Sequence, residues 1–98
     1  MNIMKKLKKT AKDLEGHMKG VANHRRIEIV FLIAGEDGLT LWQIAERLNC
    51  NMKTISEHIR RLVQAGLVNK KYRGQEVLHG LSPYGKIIYG FLKTFSYS

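Results

Sequence analysis

Residues 40–68, TLWQIAERLNCNMKTISEHIRRLVQAGLV, determine the fold. Thr40 and Gln43 have the spacing of a capping box, which predicts that a helix begins here. Asn49 tolerates the left-handed conformation that commonly ends a helix, and Asn51 is a suitable N-cap for a second helix directly after it. Two short helices joined by such a tight turn form a helix-turn-helix, which we predict over residues 40–65.

Each helix of this pair has one apolar stripe at helical spacing. The stripe of the first is Trp42, Ile44, Ala45 and Leu48, and that of the second is Ile55, Ile59, Leu62 and Val63. Both stripes are expected to face a common core. The other side of the second helix is therefore polar and free to meet a partner.

After residues 65–66 the apolar period changes from that of a helix to that of strands. Leu67 and Val68 begin one predicted strand, Arg73–Gly74 forms a tight turn, and residues 77–81 form a second strand, which predicts a hairpin over residues 67–81. Ser82 as N-cap and Pro83 at the first helical position then begin a last helix over residues 82–96.

Two more helices are predicted before the helix-turn-helix. Residues 1–20 have apolar side chains at helical spacing and lysines on the other faces; the apolar set is Ile3, Leu7, Ala11, Leu14 and Met18. Asn23 is a suitable N-cap for a helix over residues 24–34. That helix is apolar around nearly its whole circumference, which is typical of a buried central helix.

The order helix, helix-turn-helix, basic hairpin, helix is the winged-helix arrangement. We therefore predict a mainly α-helical winged helix-turn-helix with about five helices, two to three strands and a β-hairpin wing. The 98 residues suffice for one domain, 1–98. No apolar run approaches the ~20 residues of a membrane span, and the single cysteine excludes an internal disulfide, so we expect a cytoplasmic protein without a membrane partner.

The charge is strongly positive and unevenly placed. The chain has 17 basic and 8 acidic residues, a net charge of +9. Residues 1–26 contain eight basic and two acidic residues, and residues 51–75 contain six and one, whereas residues 27–50 contain one and four. Two basic blocks around an acidic middle favour a surface that faces a polyanion. Charge alone does not distinguish DNA from RNA or an anionic membrane.

Four stretches resemble the ArsR family of prokaryotic winged-helix regulators. They are NHRRI at 23–27, LWQIAERL at 41–48, TISEHIRRL at 54–62 and AGLV at 65–68. LSPYG at 81–85 is more similar to the start of the last helix in MarR-type regulators. The resemblance covers roughly residues 21–92, and residues 40–68 are its specific part. It implies a transcription regulator that binds double-stranded DNA and dimerises through its first and last helices.

The resemblance also assigns roles along the second helix of the pair, because in the family its N-terminal half contacts bases. The expected base-reading residues are Met52, Lys53, Ser56 and Glu57. The expected backbone contacts are Thr54, Arg60 and Arg61, joined by Lys70, Lys71 and Arg73 of the wing. Glu57 is unusual against DNA. It either accepts from a cytosine amine or orients Lys53 or Arg61, four residues away on either side.

Other chemistry has no candidate residues in the sequence. There is no phosphate-binding glycine loop, carboxylate pair or nucleophile–base arrangement, so an enzyme is not expected. The histidines lack metal-site spacing, and the cysteine pair of metal-sensing family members is absent, so we expect neither metal nor cofactor. Trp42 is expected to pack between the helix-turn-helix and its neighbours, and Cys50 to be a small buried residue.

Three functions remain open. The first is a homodimeric, sequence-specific repressor at the prokaryotic nucleoid, acting with or without a small-molecule effector. The dimer is predicted from apolar side chains of the first and last helices, namely Ile3, Leu7, Leu14, Ile88, Phe91, Leu92 and Phe95. The second is an architectural, chromatin-type protein with little sequence preference. The third is a winged-helix interaction module within a larger complex, whose hairpin has another partner.

Overall fold

The computed structural model describes residues 3–98. In chain order they form a 3-10 turn, Ile3–Lys6, followed by α1 Ala11–Val21, α2 His24–Gly35, α3 Leu41–Arg47, α4 Met52–Gln64, β1 Val68–Arg73, β2 Glu76–Leu81 and α5 Pro83–Ser96. The two strands are antiparallel, with Val68 opposite Leu81 and Arg73 opposite Glu76. This is the winged helix-turn-helix that the sequence predicts. Within residues 3–98, none of the helices has the length and hydropathy of a membrane span.

The predicted helix starts of α2 to α5 are confirmed by side-chain caps. Asn23 accepts from the backbone amides of the first turn of α2, and Asn51 does the same for α4. Thr40 and Gln43 form the reciprocal capping box of α3. Ser82 accepts from the backbone amide of Gly85 at the start of α5. These contacts satisfy amides that have no partner within the helix.

The single helix predicted over residues 1–20 is wrong in its first half. Residues 1 and 2 lie outside the described residues, and α1 begins only at Ala11. Thr10 has an extended backbone, with φ −70° and ψ 162°, and forms a capping box with Asp13. The Asp13 amide donates to Thr10 Oγ1 at 3.1 Å and the Thr10 amide to Asp13 Oδ2 at 3.0 Å. This box fixes the helix start, so Ile3 and Leu7 precede α1.

One core joins every helix to the hairpin. Its buried apolar residues are Val21, Ile29, Val30, Ile33, Leu39, Ile44, Ala45, Ile55, Ile59, Leu62, Leu67, Val68 and Ile88. The expectation that α2 is buried all round is wrong at Phe31, which is 36% exposed and packs edge-on against Tyr89 of α5. The burial of three α4 residues in this core fixes which face of α4 remains outside.

Candidate nucleic-acid interface

The turn between α3 and α4 sets the position of the candidate recognition helix. Asn49 has φ 49°, the left-handed conformation that the sequence predicts at this point. Two residues later Asn51 Oδ1 accepts from the amides of Lys53 at 2.7 Å and Thr54 at 3.2 Å. Because Ile55, Ile59 and Leu62 are buried, α4 cannot rotate about its axis without exposing them.

The outward face of α4 contains every residue of this helix that the sequence assigns to DNA. Met52, Lys53, Thr54, Ser56, Glu57, Arg60 and Arg61 are all exposed. Lys53, Ser56 and Arg60 follow one another at intervals of about one turn, which places them along the same side of the helix. Such a row of short polar and basic side chains on a packed helix matches the requirements for reading base edges and phosphates.

Glu57 pairs with arginines of its own helix. Arg60 Nε lies 3.0 Å from Glu57 Oε2, and Arg61 Nε lies 3.4 Å from Glu57 Oε1. The hydrogen bond from Arg60 is the largest cause of a Glu57 pKa below its usual value, so the carboxylate stays ionised at neutral pH. Of the two predicted partners, Lys53 and Arg61, the structure pairs Arg61 with Glu57, and it adds Arg60, three residues away.

Behind α4, the half-buried His58 contacts α2. Arg26 Nη1 donates to His58 Nδ1 at 3.3 Å, which requires a neutral imidazole. Burial, followed by the charges of Arg26 and Arg25, lowers the pKa of His58. Burial also lowers the pKa of Arg26, although its guanidinium remains charged at neutral pH. This contact fixes α4 against the start of α2.

The wing separates its three predicted basic residues onto two faces. Alternation along β1 places Lys71 and Arg73 on one face and Lys70 on the other. Lys70 lies opposite the buried His79, whereas Arg73 lies opposite Glu76 at the turn, with Arg73 Nη2 3.0 Å from Glu76 Oε1. All three basic side chains are exposed. One face of the hairpin therefore carries both Lys71 and Arg73, which could contact the same strand of a nucleic-acid backbone.

The hairpin is attached to the start of α3 through His79. Leu39 and His79 form an isolated antiparallel bridge, which is the only third-strand character within residues 3–98. The Leu39 carbonyl accepts from the His79 amide at 2.9 Å and from His79 Nδ1 at 2.8 Å. These bonds position the wing relative to the helix-turn-helix.

Trp42 is placed differently from the sequence prediction, which buried it. Its side chain is 57% exposed, because the α3 residues facing the core are Ile44 and Ala45. Trp42 and Met52 both line a shallow depression of about 400 Å³ between α3 and the start of α4. Cys50, predicted to be buried, is half-buried and also lines this depression.

A second exposed surface is apolar. Of the residues predicted for a dimer contact, Ile3, Leu7, Leu14, Phe91 and Phe95 are exposed. Ile88 belongs to the core of its own protomer, only 8% exposed, so its assignment to a dimer contact is wrong; Leu92 is half-buried against the same core. Ile87, which is not among the predicted contact residues, is 68% exposed one turn before Phe91. Its neighbour Ile88 has the same residue type, and only packing distinguishes them.

Metal ligands are not grouped on either surface. Over residues 3–98 no group of three or more histidine, cysteine, aspartate or glutamate side chains is arranged to hold a metal ion.

Comparisons with known proteins agree with this geometry. A family model described as "Bacterial regulatory protein, arsR family" matches residues 23–70, which include α2, α3 and α4. The transcriptional activator HlyU of Vibrio cholerae serotype O1 is 30% identical over 82 residues, covering 84% of this chain and 74% of HlyU. This chain belongs to the ArsR family. It is accordingly a DNA-binding transcription regulator.

Solved structures have the same architecture as this ArsR-family chain. HlyU from Vibrio cholerae superposes with a TM-score of 0.81 at 25% identity, covering 94% of this chain and all of HlyU. A homodimeric winged helix-turn-helix DNA-binding domain of Mycobacterium bovis gives 0.79 at 21% identity, with coverages of 87% and 79%. The transcriptional repressor PagR of Bacillus anthracis gives 0.75 at 22% identity, with coverages of 83% and 93%.

Proposed function

We propose that this ArsR-family regulator is a homodimeric repressor that inserts the first half of α4 into the major groove and lays the wing on the flanking backbone. The supporting observation is the orientation of α4, which buries Ile55, Ile59 and Leu62 and leaves Lys53 and Ser56 exposed. Lys53 and Ser56 contact base edges in this arrangement. Arg60, Arg61 and the wing residues Lys71 and Arg73 contact phosphates, with Lys70 on the other side of the hairpin.

Dimerisation supplies two recognition helices for two half-sites. Three apolar side chains of α5 are between 57% and 69% exposed in the protomer, namely Ile87, Phe91 and Phe95. Each such side chain contributes about 1.5–3 kcal/mol when it is fully removed from water. The Mycobacterium bovis domain of the same fold is a homodimer. A second copy of this chain is therefore the partner we assign to α5 and to the exposed residues of α1.

Repression needs only the DNA-binding surface and the dimer surface, because a dimer on a promoter excludes polymerase by occupying the DNA. PagR is a repressor and HlyU an activator, so both modes are compatible with this fold. We place the protein in a prokaryotic cytoplasm, at the nucleoid, where its duplex DNA is found.

Selection of binding sites from random duplex DNA tests this function. A regulator should enrich a defined, two-fold-related sequence and bind it ~10³-fold or more tighter than scrambled DNA. Tight binding without an enriched sequence would instead indicate an architectural protein. The absence of duplex binding at moderate salt would indicate an interaction module.

A further inference from the structure

Trp42 exposes more than half of a large apolar side chain to solvent. Trp42 is the single tryptophan of the chain and lies in the first turn of α3. An indole is a large apolar group with one hydrogen-bond donor, and such side chains are enriched where proteins meet partners. Met52, which lines the same depression, is itself 44% exposed. The two side chains form an apolar rim at the start of α4, whose first residue is Met52.

The position of this rim indicates its partner. Asn51 and Met52 line the depression and also begin α4, the helix that enters the major groove in our proposed function. In helix-turn-helix proteins the first helix of the pair crosses the DNA backbone while the second lies in the groove. Here α3 is that first helix. Its initial turn, with Trp42, therefore lies where a sugar–phosphate strand passes.

The charges around the depression restrict how DNA can approach it. Glu46 lines the depression, and its Oε1 lies 3.6 Å from Arg47 Nη1. Arg47 also donates to Glu36 Oε2 at 2.9 Å, so its charge is shared between two carboxylates. A phosphate is therefore disfavoured inside the depression, beside Glu46. A phosphate is favoured at the rim, where the indole Nε1–H can donate a hydrogen bond and the ring can pack against deoxyribose carbons.

We propose that Trp42 is a DNA-backbone contact, packing its ring on a deoxyribose and donating from Nε1 to a phosphate oxygen at the edge of the groove that α4 enters. This inference rests on the proposed function and adds a contact residue to the same site. Because the indole is uncharged, the contact adds affinity without releasing a counterion. It is therefore distinguishable from every lysine or arginine contact by the salt dependence of binding.

The test combines tryptophan fluorescence with titrations of labelled duplex. Fluorescence anisotropy of the DNA defines saturation independently of Trp42. At saturation the Trp42 emission should change and its quenching by acrylamide should fall. Trp42→Ala should bind about tenfold more weakly to both a selected and a scrambled duplex, with an unchanged slope of log affinity against log salt. Trp42→Phe keeps an aromatic ring but has no N–H donor, so its DNA affinity should lie between those of the parent protein and Trp42→Ala.

A matched control is Phe31→Leu, which shortens a half-exposed aromatic of α2 outside this surface and should leave DNA affinity unchanged. The thermal midpoint of Trp42→Ala should equal that of the parent, since the indole is mostly exposed. Saturated binding that leaves Trp42 emission and quenching unchanged overturns the contact alone. So does a loss confined to the selected duplex, because a backbone contact is independent of sequence. A protein that binds no duplex overturns the proposed function and this contact together.

Discussion

Glu57 and Arg60 form a two-point ion pair on the exposed face of α4, with Arg60 Nε 3.0 Å from Glu57 Oε2 and a second bond from Arg60 Nη2 to Glu57 Oε1. The hydrogen bond raises the pKa of Arg60 and lowers that of Glu57, so both groups stay charged over the physiological range. Part of the positive charge on the recognition helix is thus neutralised within the helix itself. Binding that depends only on charge is weakened by this arrangement.

Glu57→Gln should therefore strengthen binding to scrambled duplex more than binding to a selected site. The change frees Arg60 and Arg61 for phosphates, and the salt slope should become steeper by up to about one per subunit. Titrations of labelled duplex at several salt concentrations measure both quantities. Glu15→Gln is the matched control, because it makes the same change of net charge at an ion pair on α1, with Lys19. Equal gains from the two variants would contradict a specific role for Glu57.

Lys53→Ala and Arg73→Ala should have different signatures. Lys53 lies in the first turn of α4, so its loss should cost ~1–3 kcal/mol on a selected site and much less on random DNA. Arg73 lies at the hairpin turn, so its loss should weaken both DNAs by similar factors and reduce the salt slope by about one per wing. The measurement is a titration of both variants against both DNAs at two salt concentrations. Equal losses for Lys53→Ala would favour the architectural protein, and a selective loss for Arg73→Ala would mean that the wing reads sequence.

The helix-turn-helix and the wing were predictable because their signals are local. Caps such as Thr40 and Asn51 and the left-handed Asn49 act within a few residues of the chain, and each is confirmed. The outward face of α4 followed from the periodicity of its apolar residues. The family resemblance then supplied the role of that face.

The sequence predictions that the structure contradicts concern positions whose burial or helix start depends on more than one local signal. Trp42 belongs to an apolar stripe by type, yet its neighbours Ile44 and Ala45 complete the packing and leave it outside. Ile87 and Ile88 are the same residue, and only the arrangement of α2 and α5 decides which is buried. At the start of α1, the helical spacing of apolar residues continues back to Ile3, but the Thr10–Asp13 capping box begins the helix at Ala11.

The protein should be a dimer without DNA, and Phe91→Asp should shift it towards monomer. Phe91 is 57% exposed and its ring contacts that of Phe95 with centroids 5.8 Å apart, so a carboxylate there would lie within the proposed apolar contact. Sedimentation at micromolar concentration measures the change. Tyr72→Asp is the control, since it places the same charge on an exposed aromatic of the wing and should leave the dimer intact. A parent that sediments as a single 11.3 kDa species would contradict a tight dimer.

His79 makes the attachment of the wing sensitive to acid. His79 is 4% exposed, and its Nδ1–H donates to the Leu39 carbonyl. Burial lowers the pKa of His79; the bond to Leu39 opposes this shift, and the charge of Lys70 adds to it. The unfolded chain, with an ordinary histidine pKa of about 6.5, therefore binds a proton at a higher pH than the folded chain does. The stability that neutral His79 provides is fully present above the unfolded pKa of about 6.5, and it is lost as the pH falls through the lower pKa of the folded state.

His79→Asn should flatten the decline of stability between pH 7.5 and 5.5. An asparagine amide keeps a donor for the Leu39 carbonyl but cannot bind the proton that unfolding takes up. One proton corresponds to about 1.4 kcal/mol of unfolding free energy per pH unit, and the variant should lose up to that slope. Chemical denaturation at a series of pH values measures the slope directly. His58 also has a lowered pKa, so His58→Asn is the matched control: it should remove its own share of the slope, and the double variant should be flatter than either. Parallel curves for His79→Asn and the parent protein would show that the wing attachment does not titrate in this range.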